Sequence, residues 1–398
     1  MSDQQSSPDE QRPNPYRYIP EGDALNRHTQ LAQFRNTPVD VPTDTNEAWF
    51  QEMDRKDEEH RLKSELSEQL YDVQRRLSAF LRNPYNRERA IMELDVRGLP
   101  QQILDDFAVD STGDLLEKLQ EANLQDEQQH EPFVGFLRWH NQVRAAEEEE
   151  LAQDWLPNHI SRTTERVEAA VQDGHLPPAV LEKQRRYADH PELYHVWVRD
   201  VFEEIITGPA HAIRLHDGRG YIGLGSPQDQ LDPTNPTVTR DAVATHENAH
   251  LWIGRPNRGQ EEAETPDEVV LPTETSLHRI FPGEGVMAME EAVITQLGDA
   301  LIHGHFEDTD PESPHRANAM SYHGCRELMD ALPVSFYEIV EAAISDDPAV
   351  ADRLAQKIDD ALPGIRQRVA DLPMLSSGLS VSDETDKAAG QLASEIKA

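Results

Sequence analysis

The chain has 398 residues, of which 75 are acidic and 37 basic, for a formal net charge of −38. No basic stripe for nucleic acid survives in such a field, and the lone Cys325 excludes both an internal disulfide framework and a cysteine zinc ribbon. Only seven residues are lysine, and scarce lysine with excess carboxylate is the pattern of proteins from salt-loaded cytoplasms, where screening relieves the self-repulsion.

Residues 1–46 are polar and proline-bearing and read as a disordered N-terminal tail. They lack a basic start with an apolar core, and no run approaches the roughly 18 apolar residues of a membrane span, so cytoplasmic residence is expected. Leu62, Leu66, Leu70, Val73, Leu77, Phe80 and Leu81 recur at spacings of three and four, which predicts one long helix ending near Asn83 and Pro84. Shorter helices follow at 86–95, 113–123 and 131–153. Together they make 47–160 a helical, coiled-coil-like arm that suits an inhibitory cover, a targeting module or a protein partner. The acidic run 147–150 reads as a solvated face.

A second domain is expected over 161–372, opening with helices at 177–186 and 192–206. Apolar residues then cluster around Asp217-Gly218, from His211 to Leu215 and from Tyr221 to Gly225, as a hairpin. A loop carrying Pro227, Pro233 and Pro236 leads to the most informative stretch of the chain, Val243-Ala-Thr-His246-Glu247-Asn248-Ala249-His250-Leu251-Trp252-Ile253-Gly254, with Thr239 or Asp241 as its cap. On a helix His246 and His250 project from one face, so both imidazoles reach one ion, while Glu247 is rotated to hold a metal-bound water. Such a site hydrolyses bonds: Zn²⁺ activates the water and Glu247 serves as general base.

A catalytic zinc takes a third protein ligand, and the apolar helix of Val286-Met-Ala-Met-Glu290-Glu291-Ala-Val-Ile-Thr-Gln-Leu carries two adjacent candidates. At this point the chain resembles the gluzincin metallopeptidases, the group of thermolysin and the zinc aminopeptidases, in which a glutamate on a second helix completes the site. The resemblance implies a zinc-dependent peptidase acting on a peptide or protein, with His246, His250 and Glu291 as ligands. Periodicity alone favours Glu290 as the buried carboxylate, since it lies nearer the centre of the stripe of Val286, Val293, Leu297 and Leu301. The resemblance favours Glu291, which Val293, Ile294 and Leu297 follow at positions two, three and six. It also implies an oxyanion donor on a later helix, Tyr322 first and His323 second.

The chain departs from that family in the 40 residues separating His250 from Glu291 and in lacking a motif that grips a substrate amino terminus. The metzincin extension also fails, with Gly254 displaced by one place and Pro256 where a third histidine belongs. Asp267, Asp299, His303 and His305 are weaker third ligands. Two rivals remain. Glu127 with His130 and Glu192 with His195 repeat the spacing of Glu247 with His250, as in a helical di-iron carboxylate protein; alternatively, a silent zincin-like scaffold presents the helical arm. Helices at 335–346 and 348–361 precede a flexible C-terminal tail, 373–398. The expected fold is therefore mainly α: a zincin-like metallopeptidase domain with one small β-sheet, preceded by a helical N-terminal region.

Overall fold

The computed structural model describes residues 20–38, 45–199, 210–225, 240–254, 270, 274–283, 285–304, 323–373 and 383–398. Among the described residues the protein is mainly helical with one small three-stranded sheet, and no helix is long and apolar enough to cross a membrane. The chain divides into two compact units: one is centred on Pro13–Glu149 and takes in Val198, and the other joins Glu150–Trp197 to Thr207–Ala398.

The N-terminal unit holds α1 (Pro20–Asn36), α2 (Thr45–Leu81), α3 (Pro84–Val96), α4 (Gln101–Asp106), α5 (Thr112–Glu121) and α6 (His130–Glu150). The stripe read from sequence is its core: Leu62, Leu66, Leu70, Val73 and Leu77 are each 5% exposed or less. Each fully buried aliphatic side chain contributes about 1.5–3 kcal/mol. The expected tail 1–46 is corrected in part, because α1 packs on α2 through Ala24 and Leu31. Two buried residues seven apart fit one helical face but are too few to stand out from polar neighbours. Gln74 ties α2 to the end of α5, its amide donating to the carbonyls of Leu119, Gln120 and Ala122 that the helix leaves open.

The second unit contains α7 (Leu156–Gln172), α8 (Pro178–Asp189), β1 (Tyr194–Arg199), β2 (Ala210–Arg214), β3 (Gly220–Gly225), α9 (Arg240–Trp252), α10 (Ser276–Ile280), α11 (Val286–His303), α12 (His323–Ala331), α13 (Phe336–Ile344), α14 (Pro348–Ala361), α15 (Ile365–Ala370) and α16 (Asp383–Lys397). The hairpin forms as read: β2 and β3 pair antiparallel from Ala210 opposite Leu224 to Arg214 opposite Gly220. The sheet order is β1-β3-β2. A helix over 192–206 does not form where the structure is described, since 194–199 is strand. Tyr194, Val196, Trp197 and Val198 are aromatic or β-branched types that fit a pleated surface, and their partner β3 lies too far along the chain for local pattern to reveal it. The flexible tail 373–398 is likewise corrected: α16 buries Ala389, Leu392 and Ala393 and packs on α12, and the Asp386 carboxylate accepts the Cys325 N–H.

The centre of this unit is the pair α9 and α11. The helix α9 rests on β2 and β3 on one side and on α11 on another. Its exit is fixed at Gly254, whose N–H donates to the Ala343 carbonyl at 2.6 Å and whose carbonyl accepts from the Ser276 N–H at 2.6 Å. A side chain at Gly254 would collide with the backbone of Ile344 and Ser345, so glycine lets α9 end against α13.

Candidate metal centre

The apolar positions of α9 and α11 fix which of their polar residues meet. Val243, Ala244, Ala249 and Leu251 on α9, with Val286, Ala288, Met289, Ala292, Val293 and Leu297 on α11, are 7% exposed or less and belong to one core. The helices approach closely because α11 carries Gly298 where they cross, against the backbone of His246. Seven residues separate Gly298 from Glu291, about two helical turns, so both lie on the face of α11 turned to α9.

That crossing brings His246, His250 and Glu291 together, with one ligand atom from each lying within 4.8 Å of the others. The His246 Nε2 stands 3.7 Å from Glu291 Oε2, and the His250 Nε2 stands 3.5 Å from Glu291 Oε1. Two ligands on a tetrahedral zinc at 2.0–2.1 Å are about 3.3–3.4 Å apart, slightly closer than these separations, which run to the two different oxygens of Glu291. The rings meet edge to face, with centroids 5.2 Å apart and planes at 72°. The three side chains are 16%, 18% and 25% exposed, so the cluster keeps partial access to solvent.

The two adjacent carboxylates divide. Glu290, the more buried residue, turns its Oε1 to His250 Nδ1 at 3.5 Å, on the ring edge away from Glu291. Its Oε2 is buried without a hydrogen-bond partner. Burial, with the neighbouring His250 adding to it, holds His246 down to about 3 and hence neutral. Burial also opposes charge on His250, but Glu291, Glu290 and Glu247 outweigh it and raise that imidazole to about 9. Burial raises the Glu291 carboxyl, Glu290 adds to the rise and His250 counters it. One carboxyl group and two imidazoles converge in a mostly apolar surround, with the charges of Glu290 and Glu247 close to His250, so a divalent cation fits the donor set.

Glu247 lies on α9 one residue after His246 and is only 6% exposed. On a helix it is rotated about 100° from His246, and its charge lies near enough to His250 to help raise that imidazole. Tyr322, expected as oxyanion donor, lies outside the described residues, as do Thr239, Asp267, His305 and the loop 226–239. His323 begins α12 and is exposed. Asp299 and His303 are not in the cluster; they face each other at 3.8 Å, and Asp299 also faces Arg326 at 3.8 Å. The other Glu-x-x-His pairs take different partners. Glu127 pairs with Arg35 and Lys63 and His130 meets the Leu124 carbonyl, while Glu192 faces His190 and His195 stacks on Tyr221.

Asp241, one of the two residues expected to cap α9, lies inside its first turn instead and is held there from α7. Asp241 accepts hydrogen bonds from His159 Nδ1 at 2.8 Å, Arg162 Nη2 at 2.9 Å and Arg166 Nη1 at 2.8 Å, all from one face of α7. Burial works against its charge, but those three donors hold its carboxyl well below the usual carboxylate range. Burial keeps His159 below the ordinary imidazole value, with Asp241 partly offsetting it. The spacing of 159, 162 and 166 was a legible helical face; its partner, 75 or more residues away, was not. Comparison of the chain with protein-family models, with curated proteins and with solved structures finds no match.

Proposed function

We propose that the protein is a zinc-dependent peptidase with a zincin-like second unit, in which His246, His250 and Glu291 hold the ion. The observation that carries this reading is the convergence of those three side chains from two helices, with Glu247 beside them. When bound, Zn²⁺ supplies Lewis-acid polarisation and eases deprotonation of water at neutral pH.

The residues of the chain provide the rest. His246 is held neutral and offers a lone pair without first losing a proton. Glu290, facing the Nδ1 of His250, fixes that ring so that its Nε2 points to Glu291, an orienting role that carboxylates commonly play behind a ligand histidine. Glu247 takes a proton from the attacking water and delivers it to the leaving amine, which matches the protonation demands of both halves of amide hydrolysis. Tyr322, with His323 second, is assigned by resemblance to the developing oxyanion.

The test is Glu247→Gln measured beside wild type in molar salt, with zinc by elemental analysis and cleavage of an unfolded protein substrate. The expected result is about one zinc per chain in both, with cleavage lost only in the variant. Equal cleavage by the two proteins would overturn the reading.

A further inference from the structure

The histidine-bearing helix is gripped from behind by a buried amide. Gln184, on α8, is fully buried. Its Oε1 accepts from Asn248 Nδ2 at 2.9 Å and from Trp252 Nε1 at 3.2 Å, and its Nε2 donates to the Ile160 carbonyl at 3.3 Å and to Thr164 Oγ1 at 3.1 Å. Both donor hydrogens and both lone pairs of the amide are therefore used. One side chain ties α9 to α7.

Placement decides what this does. Asn248 and Trp252 are one turn apart, as are His246 and His250, and at 100° per residue the two pairs point in directions about 160° apart. Gln184 thus holds the side of α9 remote from the ligands. A slip of α9 by one residue turns every side chain by about 100° and shifts it by about 1.5 Å. Such a slip would break both contacts to the Gln184 oxygen and leave an indole N–H and an amide buried without partners. Each orphaned group is costly because nothing replaces the water it gave up on burial, whereas apolar packing alone tolerates small rotations. Asp241 holds the first turn of the same helix, and Gln184 holds its last two.

We infer that Gln184 is a positioning residue for the metal centre: through Asn248 and Trp252 it sets the rotation of α9 so that His246 and His250 face Glu291. The inference rests on the zinc reading above and adds a residue outside the ligand set.

Zinc affinity by competition with a chelator, folding by circular dichroism and the visible spectrum of the cobalt-substituted protein test it. Gln184→Met fills similar space but removes the acceptor. In the folded variant, zinc should bind at least tenfold more weakly and the cobalt bands should shift. Gln184→Glu retains an acceptor oxygen and, protonated in this buried place, should hold zinc within about threefold of wild type. Asn248→Leu, which removes one of the two donors while favouring helix, should weaken zinc to an intermediate degree. A folded Gln184→Met with wild-type affinity and an unchanged cobalt spectrum overturns the inference; should that variant not fold, unchanged affinity in Asn248→Leu overturns it. Wild-type protein that holds no zinc would instead defeat the metal reading itself.

Discussion

Gly298 lies against the backbone of His246, where an added Cβ would stand 3.1 Å from the His246 Cα. The missing side chain sets the distance between the two ligand-bearing helices. Gly298→Val should force them apart, lowering zinc affinity tenfold or more and stability by about 1–3 kcal/mol, the usual range for overpacking. A chelator competition and a urea titration read the two effects. Wild-type affinity in the valine variant would mean that helix spacing does not govern the site.

Glu290 and Glu291 should separate cleanly by metal content. Glu291→Gln removes a charged donor from the cluster and should leave the dialysed protein with well under one zinc per chain. Glu290→Gln keeps all three ligands and loses only the group behind His250, so binding should weaken about 10- to 100-fold while remaining measurable. The opposite ranking would exchange their roles.

The anchor at Asp241 makes stability depend on acid. Its carboxyl is depressed in the folded protein, so its contribution is complete above the unfolded value of about 4 and is lost as the pH falls below it. At pH 7 Asp241→Asn should be less stable than wild type by about 3 kcal/mol. That gap should narrow by up to about 1.4 kcal/mol per pH unit below pH 4, because the wild-type unfolded chain then takes up a proton that the folded one refuses. Urea titrations of both proteins at pH 7, 5, 4 and 3 measure it; a constant gap contradicts the assignment.

Salt should stabilise the whole chain. A formal charge of −38 is a repulsive load, and raising ionic strength from about 0.1 M to about 1 M shortens the screening length from about 10 Å to about 3 Å. The thermal midpoint should rise through that range in potassium chloride. A falling midpoint would mean that attractive ion pairs outweigh the repulsion.

Much of this protein was fixed by local pattern. The stripe from Leu62 to Leu81, the hairpin around Asp217-Gly218 and the turn that sets His246 beside His250 all follow from periods of three to four or of two, which a linear sequence displays directly. Whether Glu290 or Glu291 faces the histidines was not decided there: adjacent residues on a helix differ by about 100°, and both lie near one apolar stripe. Packing decided it, through Gly298 at the crossing with His246, and left Glu290 behind His250. The strand from Tyr194, the docking of α16 on α12, the grip of Gln184 and the triple pairing of Asp241 likewise appear only in three dimensions. Each depends on a partner distant in sequence, and burial removes competing water only after the chain has brought the two together.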